Sequence, residues 1–329
     1  MRKYLKYACM LLLPAIILSC SKDEDNAQFV GGPETANFNS GGQQIDDGNG
    51  QQSDDELDWE AIEITPEVTS DSEVKIMTFN LRVNTSEEDP QNNWSNRRKA
   101  IPVMIKTTNP TTFGVQEGKM SQITYIQTNC PEYDYVGQGN KGGTSGEFSA
   151  IFYKKDEVKL LQGGTFWLSD TPDTPSKSFG VNYYRIATWA VFEKIATGER
   201  FIHVNTHLNF EDDVQTKEME VLYGRLKEYN ADGYPGFITG DMNTQQNAPC
   251  FSAIKKDGWK NARLEARETD NSGTYNGWGA SGKIIDLIWF KGIKALKYKV
   301  VTEQFVGVQY ISDHYPVYGV FEFPVKGNE

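Results

Sequence analysis

Gly236-Phe237-Ile238-Thr239-Gly240-Asp241-Met242-Asn243 is the stretch from which the rest of the chain can be read. Phe237 and Ile238 form a short apolar run of the kind that fills the middle of a sheet. Gly240 lets the backbone turn with no Cβ in the way, and Asp241 and Asn243 follow two residues apart, on the same side of an extended chain. A carboxylate and an amide leaving a core strand together are costly if buried without partners. Two readings stay open here: both residues cap a turn, or both face a ligand.

The chain opens with Arg2, Lys3 and Lys6 ahead of an apolar run from Ala8 to Leu18 that is too short to span a bilayer comfortably. Ile17-Leu18-Ser19-Cys20 resembles the lipobox of bacterial lipoproteins. The resemblance implies a signal peptide over 1–19, a lipidated Cys20 and membrane attachment through it. Ser21-Lys22-Asp23-Glu24-Asp25 is similar to the surface-export signal of Bacteroidetes lipoproteins. It implies an outer membrane lipoprotein facing the periplasm or the cell surface.

Residues 20–72 are rich in Gly, Gln, Asn, Ser, Asp and Glu, a composition that buries too little surface to offset ordering, and they read as a flexible acidic tether. The charge count decides one point. The tether holds one Lys and fourteen acidic residues, whereas residues 73–329 net only −2 of the chain's −12. The acidity therefore does not argue against a phosphate-bearing substrate, and no basic excess advertises a polyanion either.

Residues 73–329 suffice for one α/β domain with a sizeable core. Cys130 and Cys250 are far apart and do not make a disulfide scaffold, though a single bridge stays open. Alternation and apolar runs predict strands at 74–80, 112–116, 147–153, 164–168, 186–192, 201–206, 237–239, 284–290, 298–302 and 315–323. Helices are expected at 94–107 despite Pro102, at 120–129, at 214–229 and near 250–256. So many strands with so few helices suggest two packed sheets with helices outside.

Polar residues gather at the strand ends. Asn80, Glu117, His207, Asp241 and Asn243 each close a strand, and Asp313-His314 precede the last one. Any one of them is an ordinary cap or turn residue when taken alone. Asp286 is different, because an unpaired carboxylate inside Ile284-Ile285-Asp286-Leu287-Ile288 costs several kcal/mol, roughly. It needs a partner, and His314 is one of only three histidines.

Thr78-Phe79-Asn80, Gln116-Glu117, Thr206-His207-Leu208, Gly240-Asp241-Met242-Asn243, Ile285-Asp286-Leu287-Ile288 and Ser312-Asp313-His314 together resemble the endonuclease/exonuclease/phosphatase superfamily, whose members include deoxyribonuclease I. The resemblance covers essentially all of 74–323. It implies a four-layer α/β sandwich, two mixed sheets face to face with helices outside, and hydrolysis of phosphate esters with a divalent metal, Mg²⁺ or Mn²⁺. By the same resemblance Glu117, Asn80 and Asp313 serve the metal, Asp313 through water. Asp241 orients and deprotonates the attacking water, Asn243 donates to a phosphate oxygen, and Asp286 holds His314 toward the phosphate. His207 with Glu147 forms the Glu–His pair of the deoxyribonuclease I branch that protonates the leaving oxygen. His203 reads as a core histidine, and Arg185 reads either as a guanidinium brought to the site or as half of a structural ion pair.

The expected activity is a nuclease-like phosphodiesterase at the cell envelope, with nucleic acid among its candidate substrates and a phosphomonoesterase on sugar or inositol phosphates or a sphingomyelinase-like enzyme as alternatives. A non-enzymatic surface binding protein of the same fold has no need to keep all of these polar residues. No protein partner is indicated, and a monomer is expected. Specificity rests with the loops 82–93, 137–146, 168–184 and 272–283, the last carrying Tyr275, Asn276 and Trp278, which either stack on a substrate or fold the loop down.

Overall fold

The computed structural model describes residues 61–324. The signal sequence, Cys20 and most of the tether lie outside the described residues. Twelve strands, numbered in chain order, form two mixed sheets of six. Sheet one contains β1 (Glu73–Asn80), β2 (Thr112–Gln116), β3 (Tyr133–Val136), β4 (Ile151–Lys154), β11 (Lys294–Val300) and β12 (Val317–Glu322), in the order β11-β12-β1-β2-β4-β3. Sheet two contains β5 (Val158–Trp167), β6 (Ile186–Lys194), β7 (Arg200–His207), β8 (Gly236–Asp241), β9 (Lys260–Asn261) and β10 (Asp286–Lys291), in the order β5-β6-β7-β8-β10-β9. The helices are α1 (Trp94–Arg97), α2 (Ala100–Thr108), α3 (Met120–Asn129), α4 (Asp212–Tyr229), α5 (Ser252–Lys256) and α6 (Ala262–Glu265).

The period of two along each strand sorts the side chains into layers. Met77 and Phe79 of β1 and Phe113 and Val115 of β2 point outward, where they pack with Ile101, Met104 and Ile105 of α2 and Ile123 and Ile126 of α3. Ile202 and Val204 of β7 and Ile238 of β8 point outward on the other side, against Met219, Leu222 and Leu226 of α4. Val74, Ile76, Phe201, Phe237, Phe290 and Phe321 fill the space between the sheets. Four layers result, as the sequence implies.

Local chemistry accounts for the departures from the expected elements. The helix expected over 94–107 is two, because Pro102 has no N–H and is tolerated only in the first turn, where α2 places it. The strand expected from residue 147 begins at Ile151, so Glu147 sits in the loop before β4. β3, β9 and α6 are short additions that the pattern does not announce. Cys130 and Cys250 are free, buried thiols rather than a bridge, and burial pushes each up to about 12. The end of the tether is also more engaged than expected. Glu67 N–H donates to the Thr107 carbonyl (2.9 Å), and the Glu67 carboxylate accepts from Lys75 Nζ (3.0 Å) and Tyr318 Oη (2.7 Å). Lys75 is a buried lysine in β1, and this pairing is what makes its charge tolerable there.

Between the sheets the inner face grades from apolar to polar along the strands. At mid-strand, Thr112 Oγ1 and Thr239 Oγ1 bond the two ring nitrogens of His203 at 2.9 and 2.8 Å. Burial pushes His203 down to about 3, so it is a neutral core histidine. One step further, Gln116 Nε2 donates to Asn205 Oδ1 (2.7 Å), as does Thr239 Oγ1 (3.0 Å), and Asn205 Nδ2 donates to the Val115 and Ala150 carbonyls (2.8 and 3.2 Å). Asn205 reaches across because Gly114 opposite it has no side chain, and a Cβ there would stand 2.1 Å from Asn205 Oδ1. Gly114→Ala is therefore expected to expel Asn205 and lower stability by about 3 kcal/mol in urea denaturation. Adding Asn205→Ala to that variant is expected to cost less than it does in the wild type; additive losses would refute the notch.

Candidate active site

The strand registers bring the predicted residues to one rim. β1 and β2 run parallel with Asn80 beside Gln116, and β7 and β8 run parallel with His207 beside Asp241. β10 runs antiparallel to β8, which sets Asp286 beside Asp241. The C-terminal ends of two parallel pairs thus meet at one edge of the sandwich, the usual place for a ligand in α/β sheets.

Asp241 is the hub. Its Oδ2 accepts from Asn80 Nδ2 (3.0 Å), and His207 Nε2 and His314 Nε2 stand 3.5 and 3.6 Å away. Its Oδ1 accepts from the Asn243 N–H (2.9 Å). Asn243 is not in extended chain but left-handed, with φ 50°, so the chain turns at once after β8 and that turn is fastened to the Asp241 carboxylate. The two open readings of this pair are both met: the residues make a turn, and the turn faces the site. Gly240 is required for close approach, since a Cβ would lie 2.0 Å from the Thr206 carbonyl oxygen.

Burial raises Asp241 to about 7 even though the His314 charge pulls it back. His314 Nδ1 lies 2.9 and 3.1 Å from the two Asp286 oxygens. Burial alone would push His314 down, but Asp286 and Asp241 outweigh it and bring it to about 10, so the ring is an imidazolium at neutral pH. The carboxylate that looked costly inside β10 thus has the expected partner. Thr274 Oγ1 fixes the Asp286 backbone by accepting from the Ile285 and Asp286 N–H groups, each at 3.0 Å.

His207 is the opposite case. Asn243 Nδ2 donates to the Leu208 carbonyl (2.9 Å) and lies 3.0 Å from His207 Nε2, so that nitrogen is an acceptor and the ring proton sits on Nδ1. Burial first, then the Arg185 and His314 charges, hold His207 well below its ordinary range. Glu147 makes its ion pair with Lys119 (3.4 Å), while sharing a small pocket with His207, Glu117, Tyr184 and Arg185. The structure thus sets Glu147 near His207 but engages it with a lysine.

Glu117 adopts φ 61°, a left-handed conformation that costs a side chain about 1–3 kcal/mol and marks functional positions. Its carboxylate accepts from Asn80 Nδ2 (3.1 Å) and the Val83 N–H (3.0 Å). Glu117, His207 and Asp241 place ligand atoms within 4.8 Å of one another, as do Asp241, Asp286 and His314. Asp313 belongs to neither group. Its carboxylate lies 3.8 Å from the Arg82 guanidinium, and burial raises its affinity for a proton.

Residues the sequence reading missed hold these loops together. Arg97, fully buried, donates to the carbonyls of Arg82 (2.7 Å) and Ile311 (3.1 Å) and also to that of Leu81, clasping the loop after Asn80 to the loop before Ser312. A helix-borne arginine gives no sequence signal of such a role. The aromatic loop folds down: Asn276 N–H donates to the Asp313 carbonyl (2.8 Å), and the Tyr275 ring lies 4.9 Å from the His314 imidazole. Another surface depression lies at the far end of β8 and β10, beside Lys260, Lys291 and Lys294, which pair with Glu265, Asp257 and Glu322 and bring no chemistry.

Comparison with known proteins agrees with this geometry. The profile of the Endonuclease/Exonuclease/phosphatase family matches residues 77–314. A mannosyl-6-phosphatase of Bacteroides thetaiotaomicron is 27% identical with a TM-score of 0.71, over 76% of this chain and 100% of that one. An endonuclease/exonuclease/phosphatase from Bacteroides vulgatus is 28% identical with a TM-score of 0.71, over 77% of this chain and 99% of that one. A probable RNA exonuclease of Saccharomyces cerevisiae is 25% identical over 220 residues, 58% of this chain and 42% of the yeast protein. The chain belongs to the endonuclease/exonuclease/phosphatase family, whose members hydrolyse phosphoesters.

Proposed function

We propose that this protein is a divalent-metal-dependent phosphomonoesterase acting on a phosphorylated sugar. The observation that carries the chemistry is the buried Asp241 carboxylate, poised near neutrality between a charged His314 and the Asn80–Glu117 pair. Two observations favour a sugar monoester over a nucleic acid. The mannosyl-6-phosphatase is similar over its whole length, and the folded part has no excess of positive charge to track a polyanion.

The donor set fits a hard cation. Glu117 offers carboxylate oxygens at the rim with Asp241 and His207 close by, while Asn80 turns its Nδ2 to Glu117 and Asp241 and its Oδ1 to the Arg82 N–H, and a metal with waters of its own needs only one or two carboxylates. Mg²⁺ or Mn²⁺ held there would supply positive charge to the phosphoryl group. Asp313, near Arg82, would add negative charge beside such an ion.

Asp241 takes the proton of the attacking water as the new P–O bond forms. The P–O bond to the sugar oxygen breaks, and the Nε2 proton of His314 goes to the departing oxygen, so the sugar leaves as an alcohol. Asp241 then returns its proton to His314 across 3.6 Å, restoring both groups. In this reading His207, held well below its ordinary range with Nε2 accepting from Asn243, orients the site, and His314 takes the acid role that the family resemblance gives to the His207–Glu147 pair. Asn243 with Gly240 keeps the turn closed, while Glu147 balances Lys119 at the pocket edge. We further propose that the enzyme is held at the cell envelope through a lipidated Cys20, the tether giving the domain reach. Among the described residues no helix is long and apolar enough to cross a membrane.

With Mg²⁺ or Mn²⁺, hexose 6-phosphate is expected to be hydrolysed faster than plasmid DNA, RNA or inositol phosphates. Asp241→Ala is expected to lower kcat by about 10²–10⁴. Equal turnover in both proteins would sink the assignment of the base, and degradation of DNA or RNA ahead of every monoester would restore the nuclease reading. The base must be ionised and the acid protonated, so kcat/KM should climb as pH rises through about 7 and fall as pH rises through about 10. Asp286→Asn removes the largest influence raising His314 and should move the alkaline limb to lower pH; an unmoved limb would exclude His314 as the acid. Cys20→Ala is expected to release the protein from the membrane fraction, and unchanged fractionation would refute the anchor.

A further inference from the structure

Arg185 is buried, at 8% exposure, at the head of β6. Its Nε makes no hydrogen bond, and no carboxylate forms an ion pair with it among the described residues. The buried Glu218 carboxylate interacts with its charge through space, but the Nε donor stays unmatched, and an arriving anion can satisfy it. Arg185 lines the pocket that also holds Glu117 and His207, on the β6 side of the rim. The structural ion pair that the sequence left open for it is not made among the described residues.

Above this guanidinium stand two exposed rings. Tyr183 and Phe210, at 55% and 58% exposure, are among the few large apolar side chains exposed in the described residues. Their ring centroids are 6.1 Å apart at an interplanar angle of 74°. The Arg185 guanidinium carbon lies 5.5 Å from the Tyr183 centroid and 5.7 Å from the Phe210 centroid. The two rings come from different segments, one just before β6 and one just after β7, and they meet only over Arg185. Both rings lie within cation–π distance of the guanidinium of Arg185, which itself lines the pocket, and both stay largely exposed to solvent.

We propose that Arg185 binds the phosphoryl group and that Tyr183 and Phe210 form a platform for the sugar ring esterified to it. This rests on the phosphomonoesterase reading above and names the subsite that selects its substrate. Chain geometry limits the distance: Phe210 is three residues beyond His207, so at most about 10 Å of chain separates their α-carbons, and Tyr183 is two residues before Arg185. That span fits a ring one exocyclic CH₂–O link away from the phosphate. A pyranose presents C–H groups on its face that pack against aromatic surface while its hydroxyls stay in water. A nucleobase would sit one ribose further out.

The test is calorimetric titration of hexose 6-phosphate and of glycerol phosphate, which has no ring, into full-length protein. An Asp241→Asn background blocks turnover so that affinity alone is read. Tyr183→Ala with Phe210→Ala is expected to lower the ratio of hexose 6-phosphate to glycerol phosphate affinity about tenfold. Phe210→Leu, which keeps apolar bulk without a π face, should lower it in the same direction. Arg185→Gln is expected to weaken both esters, and inorganic phosphate with them, about tenfold or more. An unchanged affinity ratio in the aromatic variants, or a nucleoside 5′-monophosphate that binds more tightly than the hexose phosphate and depends on the same rings, would overturn the platform. Unchanged phosphate affinity in Arg185→Gln would overturn the anion site. Absence of hydrolysis in the wild type with the affinity ratio behaving as expected would remove the phosphomonoesterase reading and leave the binding subsite standing.

Discussion

The structure depends on a polar seam between two sheets that would otherwise pack through apolar side chains alone. Asn205 of β7 projects into the space left by Gly114 of β2 and bonds Gln116 and two backbone carbonyls of sheet one. Apolar packing tolerates sliding, because a methyl group is satisfied by many neighbours. A buried amide is not, because each of its hydrogen atoms needs an acceptor in one place. The seam therefore sets where one sheet lies on the other. With that fixed, Asn80 from sheet one meets Asp241 from sheet two at 3.0 Å, and the site is assembled from both halves of the sandwich.

The same seam explains why the inner face changes character along its length. Phe201, His203, Asn205 and His207 follow one another on the inner face of β7, and Phe237, Thr239 and Asp241 do so on β8. Each series runs from aromatic core through hydrogen-bonded polar groups to a titrating side chain at the rim. The polar groups in the middle are satisfied by one another, so their burial costs little. Those at the rim are only partly satisfied, and it is there that proton affinities are displaced: Asp241 raised, His207 lowered, His314 raised by the carboxylates around it. Displacement in opposite directions among touching groups separates a base from an acid.

Around this frame, stability and function use different residues for the same loops. Arg97 spends its hydrogen bonds on backbone carbonyls that flank Asn80 and Ser312, and Thr274 Oγ1 accepts from the backbone N–H groups of Ile285 and Asp286. None of these groups needs to touch a substrate for the site to depend on it. Glu117 is held in a conformation unfavourable to a side chain by the Val83 amide and by Asn80. Arg185 stands apart as a buried guanidinium that makes no ion pair among the described residues and keeps an unbonded Nε.

The sequence by itself determined the layers and the strand ends at which the polar residues gather. Period-two alternation with helices between strands is enough to call two packed sheets, and Asn80, Glu117, His207, Asp241, Asn243, Asp286 and His314 all fall where strands end. Family resemblance then assigned them chemistry. Only the tertiary structure decided which of them touch and with what charge. Glu147 meets Lys119 rather than completing a pair with His207, and His207 is neutral while His314 is charged. The physical reason is that hydrogen-bond partners and burial are set by the way separate strands and loops come together in space, across 28 positions for Lys119 and Glu147 and 161 for Asn80 and Asp241. Arg97 and the Tyr183–Phe210 pair were illegible for the same reason: what each does depends on a carbonyl or a ring supplied by another element of the fold.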